Sequence, residues 1–162
     1  QLRNGEMSLP ITYQELAKYL GVELEARVLV SDVRKAVLAL RAAKGMLLDS
    51  KDHDTWSAGS FFVNPIVSAE VASSLPADAP RWPQADGRIK TSAAWLMEHA
   101  GVKKGEIHNG AGISTKHVLA LVNTGSATAS DIVAMERLAR SAVQEKFGIV
   151  LEPEVQFVGI SL

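Results

Sequence analysis

The sequence contains no cysteine, carries almost no net charge and has no long apolar run. Without cysteine, disulfide bonds, thiolate chemistry and cysteine-ligated metal sites are excluded. A formal net charge of −1 argues against a nucleic-acid backbone or an acidic membrane surface as the main partner. No apolar run approaches the length of a membrane span, so we expect no membrane partner either.

What is present is a globular composition. Hydrophobic residues make up 47% of the 162 residues and charged residues 22%, which is typical of folded proteins. The length suffices for one core of ordinary size, or for one and a half small domains. Four histidines occur, but no two have the spacing of metal ligands, so we predict no metal site.

Capping residues, apolar periodicity and glycine stops predict five helices. They are a helix capped by Thr12 with Glu15 and ended by Gly21, one from Ser31 to Gly45, one from Ser68 to Leu75, one from Thr91 or Ser92 to Gly101, and a long one from Ser130 to Gly148.

Apolar runs predict three strands: Phe61–Val67, which Pro65 interrupts, Val118–Val122, and Ile149–Val158. In the last strand, Glu152, Glu154 and Gln156 alternate with the apolar Leu151, Val155 and Phe157, which places them on opposite faces. Residues 46–59, 76–87 and 105–112 are predicted to be loops. This order predicts an α+β fold, a small mixed or antiparallel sheet packed with helices.

The segment Ser57–Pro65 presents one hydroxyl, that of Ser60, within a run of small and aromatic residues. Gly59 lets the backbone approach a ligand closely, and Pro65 holds Asn64 extended. Ala58 and Phe62 occupy the positions where a nucleophile elbow needs glycine, so Ser60 does not match that motif. It is either a structural serine or one that gives a proton or a hydrogen bond to a ligand.

Other polar residues leave two interpretations each. Glu152 and Glu154 are exposed charges on an edge strand, or Glu154 points into a cleft where desolvation raises its pKa. Lys44 interacts with a helix dipole or with a phosphate. His117 is a surface residue or presents its ring to a ligand. The segment Asn109–Gly112 lacks the third glycine of a dinucleotide fingerprint.

Four blocks of this sequence in this order, Ser57–Pro65, Pro83–Gly87, Ala93–Leu96 and Leu151–Val155, resemble the UDP-N-acetylenolpyruvoylglucosamine reductase (UDP-N-acetylmuramate dehydrogenase) family. The resemblance runs from about Pro10 to the C-terminus. The retained Tyr13 segment and the central insert resemble the longer of the family's two subtypes.

The resemblance implies a substrate-binding, C-terminal part of an oxidoreductase that uses FAD and NADPH. Such enzymes reduce the enolpyruvyl group of UDP-N-acetylglucosamine enolpyruvate to UDP-N-acetylmuramate during peptidoglycan biosynthesis in the bacterial cytoplasm. It further implies that residues 1–45 end the flavin-binding region, that residues 46–148 form the substrate-binding domain and that residues 149–162 form a strand returning toward the flavin-binding region.

In the family, most of the flavin-binding region and a catalytic arginine precede this segment. We therefore expect the present chain to bind neither FAD nor NADPH by itself, to be inactive without that region, and to be a monomer. The alternative is a stand-alone nucleotide-sugar binding module without catalysis.

The resemblance also implies roles for single residues. Ser60 matches the serine that protonates the reduced enolpyruvyl group, and Glu154 matches a carboxyl group that stabilises the developing charge. The matched substrate-binding residues are Tyr13, on a mobile loop over the nucleotide, Lys44 and Asn64 at the diphosphate, and His117, where many members carry Gln.

Overall fold

The structure is a computed structural model that describes residues 5–160 in two compact units, Gln1–Leu47 and Leu48–Leu162. The first unit contains helices α1 (Gln14–Leu20) and α2 (Val30–Ala43). The extended segments that precede them run antiparallel, with a bridge between Met7 and Leu29 and a 2.9 Å hydrogen bond from the Ile11 N–H to the Ala26 carbonyl.

Helix α1 begins without the capping box predicted at Thr12. Its N-cap is Tyr13, whose side chain makes no capping hydrogen bond. The carboxylate of Glu15 accepts a 2.6 Å hydrogen bond from the exposed Lys44 ammonium. The predicted stop is confirmed, because Gly21 ends α1 with a φ of 68°.

The second unit contains helices and two antiparallel sheets. Its helices are α3 (Ala69–Ser74), α4 (Ala93–Ala100) and α5 (Ala129–Phe147). Its strands are β1 (Ser57–Ser60), β2 (Ile66–Val67), β3 (Arg81–Pro83), β4 (Ile89–Thr91), β5 (Ile107–His108), β6 (Ala111–Ile113) and β7 (Ala120–Asn123). One sheet has the order β1-β7-β6-β5 and the other the order β2-β4-β3. The predicted α+β class with antiparallel pairing is confirmed.

Two of the predicted loops, residues 105–112 and 76–87, contain strands that belong to hairpins. Strands β5 and β6 are joined by Asn109 and Gly110, whose φ angles of 50° and 81° are those of a type I′ turn. A β-carbon on Gly110 would lie 2.6 Å from the Ser126 hydroxyl, so glycine is needed there for space as well. Strand β3 lies within the predicted loop 76–87 and pairs with β4, which follows that loop. Strands of two or three residues are too short to show a period of two.

Two predicted strands, Phe61–Val67 and Ile149–Val158, are not continuous. They meet in a single antiparallel bridge between Phe62 and Pro153, which is flanked by hydrogen bonds from the Val63 N–H to the Glu152 carbonyl and from the Glu154 N–H to the Phe61 carbonyl. The predicted faces of the last segment are nevertheless confirmed. Its inward residues Leu151, Val155 and Phe157 pack on the core, and its outward residues Glu152, Glu154 and Gln156 are exposed.

Helix α5 starts two residues earlier than predicted. Thr128 rather than Ser130 is the N-cap, and Thr128 and Asp131 form a reciprocal capping box. Gly148, with a φ of 66°, ends the helix as predicted. The inner side of α5 joins the core of the second unit, whose most deeply buried apolar side chains include Phe62, Leu96, Met97, Ile113, Val143 and Leu151.

A carboxylate lies in this core. Glu136 is on the buried side of α5 with 0% exposure, and neither of its carboxylate oxygens has a hydrogen-bond partner among the described residues. The nearest cation, the Arg140 guanidinium, is 3.6 Å away. Burial raises the pKa of Glu136, and Arg140 offsets that shift only in part.

We expect Glu136→Gln to stabilise the second unit at high pH. The pKa of the folded carboxyl lies above its ordinary value of 4.5, so stability is retained below that value and is lost as the pH rises through the raised pKa. The variant should exceed the parent chain by about 1–3 kcal/mol at pH 8, with the difference shrinking toward pH 4.5. Urea unfolding followed by tryptophan fluorescence measures this, since all three tryptophans lie in the second unit.

The matched control is Glu145→Gln, an exposed glutamate on the same helix, which should change stability little at either pH. A Glu136→Gln variant that is less stable than the parent at pH 8, or that differs by a constant amount at all pH values, would contradict the expectation.

Candidate functional site

Strand β1 carries a β-bulge next to Ser60. Ser57 pairs with Val122 and Ser60 with Ala120, so the register advances three residues on β1 and two on β7. Gly59 within the bulge has a φ of 83°, a conformation that other residues rarely adopt. Bulges re-aim the side chains beside them, and they are frequent next to active sites. The bulge at Ala-Gly-Ser therefore gives the Ser60 side chain a direction that differs from the one that regular alternation along β1 would give it.

The Ser60 hydroxyl is half-buried and no described residue hydrogen-bonds it. The residues that follow it are fixed in the core, with Phe61 5% and Phe62 1% exposed. The Phe61 N–H donates a 2.8 Å hydrogen bond to the Leu119 carbonyl of the turn before β7. The hydroxyl thus sits on a rigid backbone with its hydrogen-bonding capacity unused.

Glu154 is brought beside this segment by its backbone. Its N–H donates a 2.8 Å hydrogen bond to the carbonyl of Phe61, the residue after Ser60. The Glu154 side chain is exposed, and no described residue hydrogen-bonds or ion-pairs with it. Glu152 is exposed as well, so within this chain the interpretation of two exposed charges describes both glutamates.

Asn64 has a structural role that uses half of its amide. Its side-chain oxygen accepts a 2.9 Å hydrogen bond from the Ala93 N–H at the start of α4. Ser92 caps the same helix through the Trp95 N–H. Since a helix leaves its first N–H groups without partners, Asn64 acts as a second cap. The Asn64 amide N–H groups have no described partner and can donate to a ligand.

Tyr13 and Lys44 lie in the first unit. Tyr13 is 76% exposed and precedes α1. Lys44 follows the end of α2, where it ion-pairs with Glu15 at 2.6 Å. This position suits the helix-dipole interpretation, and the phosphate interpretation stays a prediction.

His117 belongs to a turn, residues 114–119, that its own side chains stabilise. The Ser114 hydroxyl oxygen, which is fully buried, accepts hydrogen bonds from the N–H groups of Lys116 and His117. The His117 Nδ1 accepts from the Leu119 N–H at 3.1 Å. The ring is half-buried, and its Nδ1 holds the turn that also receives Phe61.

The loop of residues 49–56, here called the anchoring loop, contributes residues that the sequence patterns did not single out. Asp54 accepts two hydrogen bonds from Thr115, and Asp52 pairs with the Lys116 ammonium at 2.7 Å. The Lys116 hydrogen bond holds the pKa of Asp52 below its ordinary value. The only sequence signal for these residues was the polar run Asp52–Thr55, which ends one residue before the segment Ser57–Pro65.

The glycine loop Asn109–Gly112 is not a dinucleotide-binding loop. The weak glycine loop Asn109–Gly112 forms the tight β5–β6 turn and no helix follows it, so it offers no helix N-terminus to a pyrophosphate. Residues 5–160 also contain no group of three His, Asp or Glu residues that could hold a metal ion. Over the same range, no helix has both the length and the apolar character needed to span a membrane.

Comparison with known proteins gives matches over most of the chain. Residues 50–158 match the family described as UDP-N-acetylenolpyruvoylglucosamine reductase, C-terminal domain. Proteins named UDP-N-acetylenolpyruvoylglucosamine reductase are similar throughout: that of Cutibacterium acnes is 50% identical over 165 residues, covering 100% of this chain and 43% of the relative. That of Thermobifida fusca is 49% identical over 172 residues, covering 100% and 48%.

A crystal structure of UDP-N-acetylenolpyruvylglucosamine reductase from Thermus caldophilus is similar over 82% of this chain and 38% of its own, with 24% sequence identity and a TM-score of 0.43. The present chain thus spans less than half the length of the curated relatives it matches.

The dual use of the Asn64 amide predicts a split between two substitutions. Asn64→Ala removes the acceptor from the start of α4 and should destabilise the second unit by about 1 kcal/mol. Asn64→Asp keeps an acceptor and adds negative charge at a helix N-terminus, so its stability should match or exceed the parent's. Urea unfolding of both variants checks this. Equal losses in both would show that the Asn64–Ala93 hydrogen bond does not cap α4.

Proposed function

Because this chain belongs to the UDP-N-acetylenolpyruvoylglucosamine reductase C-terminal domain family, we propose that it forms the substrate-binding part of an oxidoreductase acting on UDP-N-acetylglucosamine enolpyruvate. The observation that carries the proposal is the bulge in β1, which presents the Ser60 hydroxyl without a protein partner inside the matched range 50–158. A hydroxyl that no described residue uses is available to donate to a ligand.

Members of the family generally depend on FAD and NADPH. We assign both to the flavin-binding region that the resemblance places largely outside this chain, which spans less than half the length of the relatives it matches. The chemistry supplied there is the hydride that reduces the enolpyruvyl double bond. The residues of this chain bind the substrate, hold it in place and deliver the proton.

Reduction builds negative charge on the carbon beside the enolpyruvyl carboxylate, and this carbon must then receive a proton on one face. Ser60 supplies that proton through its hydroxyl. A serine is a poor acid, so the negative charge of the reduced substrate must help to remove its proton. A rigid donor needs no reorganisation at this moment, and the buried Phe61 and Phe62 provide the rigidity.

Glu154 stabilises the charge that develops at the substrate carboxylate, in the role that the resemblance assigns to it. The backbone hydrogen bond from Glu154 to Phe61 supports this, since it ties the two segments together one residue from Ser60.

In the second unit, the Asn64 amide binds the diphosphate of the substrate. Asn64 donates through the amide nitrogen that α4 does not use. Tyr13, Lys44 and His117 are the further substrate-binding residues that the resemblance assigns. Membership of this family also supports a cytoplasmic, bacterial enzyme of peptidoglycan synthesis. We further propose that the enzyme acts as a monomer.

Ser60→Ala should slow substrate reduction while leaving the reduction of the flavin by NADPH unchanged. Removal of an aimed proton donor typically lowers a rate about 10²–10⁴-fold. Stopped-flow measurement of both half-reactions in the intact reductase checks this. Equal slowing of the two half-reactions, or of neither, would remove Ser60 from the donor role.

A matched control is Ser57→Ala at the other end of β1. Its hydroxyl accepts a 3.3 Å hydrogen bond from the Gly59 N–H and belongs to the bulge rather than to the proposed proton path. If Ser57→Ala slows substrate reduction as much as Ser60→Ala does, the effect comes from bulge geometry and the donor assignment fails.

Asn64→Asp should raise the KM for the substrate in the intact reductase about tenfold or more without a loss of stability. It replaces a donor by a carboxylate facing a diphosphate, and a contact present in ground and transition states acts mainly on KM. Steady-state kinetics with varied substrate checks this. An unchanged KM would exclude Asn64 from the diphosphate contact.

A further inference from the structure

We infer that Asp54 and Thr115 form a clamp that positions the Ser60-bearing bulge for proton delivery, an inference that rests on the proposed function of Ser60. The two residues are 61 positions apart in the sequence, and both lie outside the bulged segment between Ser57 and Ser60. Each is a positioning residue in this account, because its effect on the substrate passes through the backbone of β1.

The clamp consists of two parallel hydrogen bonds. The Thr115 N–H donates to Asp54 Oδ1 and the Thr115 hydroxyl donates to Asp54 Oδ2, both at 2.8 Å. Both carboxylate oxygens are therefore used, and the Asp54 side chain is only 16% exposed. Charge-assisted bonds of this kind are roughly twice as strong as neutral ones, and two together fix direction as well as distance.

The same turn holds the segment at its other end. Beyond the bulge, Ser60 pairs with Ala120 and the Phe61 N–H donates to the Leu119 carbonyl at 2.8 Å. The segment 54–61 is thus tied to residues 115–120 both before and after Gly59. Between these two attachments, Ser57 pairs with Val122 and the Trp56 carbonyl accepts a 3.0 Å hydrogen bond from the Asn123 N–H, and the clamp adds a side-chain attachment to this backbone pairing.

The turn that receives both attachments is stiff. Ser114 at its start is fully buried, and its hydroxyl oxygen accepts from the N–H groups of Lys116 and His117. The Ser114 N–H donates to the Ala120 carbonyl at 2.9 Å, which closes the turn across its base. These hydrogen bonds limit movement of Thr115 relative to Leu119. The clamp therefore holds the segment that carries Ser60 in a fixed position relative to this turn.

A constraint is needed because the bulge itself is permissive. Gly59 adopts its φ of 83° without a side chain, and glycine has the widest conformational freedom of any residue. A misplacement of about 1 Å can lower a catalytic rate about 10²-fold. An outside anchor at Asp54 limits how far β1 can shift about this glycine.

The neighbouring ion pairs do not share this role. Lys116 pairs with Asp52 at 2.7 Å and approaches Asp54 Oδ2 only to 3.8 Å, and it is 35% exposed. Exposed pairs of this kind contribute little to stability or geometry. Lys116→Gln is therefore a matched control that lies in the same turn and leaves both bonds of the clamp in place.

The first test measures the bulge directly. Thr115→Val removes the hydroxyl donor, and Thr115→Ser retains it. In the intact reductase, deuterium uptake by the peptide covering residues 57–61 should rise at least threefold in Thr115→Val and should stay at the parental level in Thr115→Ser and Lys116→Gln. Unchanged uptake in Thr115→Val, with the fold intact by circular dichroism, would overturn the inference.

The second test is a double-mutant cycle on substrate reduction. Thr115→Val alone should slow this half-reaction about ten- to a hundredfold, Thr115→Ser should restore the rate, and flavin reduction by NADPH should not change. In a Ser60→Ala background, Thr115→Val should have no further effect, because the group that it positions is gone.

The outcomes separate the two levels of inference. If Ser60→Ala slows substrate reduction but Thr115→Val does not, or if the two effects multiply independently, the clamp is not a positioning device and the proposed function stands. If Ser60→Ala itself has no effect, the donor assignment fails and the clamp inference fails with it. Should Thr115→Val not fold, Asp54→Asn replaces it in the same cycle.

Discussion

The structure of the second unit depends on the pairing of the segment around Ser60 on both of its edges. On one side the Phe61 N–H donates to Leu119, and on the other the Phe61 carbonyl accepts from Glu154. Phe61 and Phe62 are both buried although they are adjacent, so the bulge and the bridge to Pro153 replace regular alternation at this point. The candidate proton donor is therefore attached to a backbone whose next residue is hydrogen-bonded on both sides.

Side chains rather than long ladders hold the parts that surround this segment. Strands of two to four residues form few backbone bonds, and polar side chains complete the connections between them. The Arg81 guanidinium, for example, donates to five carbonyl groups, those of Ala72, Leu75, Pro76, Ala77 and Ala79. Ser114 and Asn64 act in the same way. Such bonds depend on single atoms, so isosteric substitutions can test them one at a time.

How much was predictable from the sequence follows from the range of each interaction. Helix ends are local, and the caps at Ser68 and Ser92 and the stops at Gly21, Gly101 and Gly148 are confirmed. The capping box assigned to Thr12 was wrong because α1 begins one residue later, with Tyr13 as its N-cap, and Glu15 pairs with Lys44, 29 residues away. The Asp54–Thr115 contact spans 61 residues and leaves no local pattern. Glu136 lies on the buried side of α5, but it is polar, so the apolar period of this helix did not indicate that it belongs to the core.

Asn64 shows why a structural and a functional interpretation of one residue need not exclude each other. An amide carries an acceptor and two donors, and α4 uses only the acceptor. The helix bond orients the amide, and this orientation in turn aims the donors at a fixed direction. The same logic applies to Ser60, whose backbone is bound on both edges while its hydroxyl has no described partner. Side chains that the fold holds in place without using all of their hydrogen-bonding groups remain available to bind a substrate.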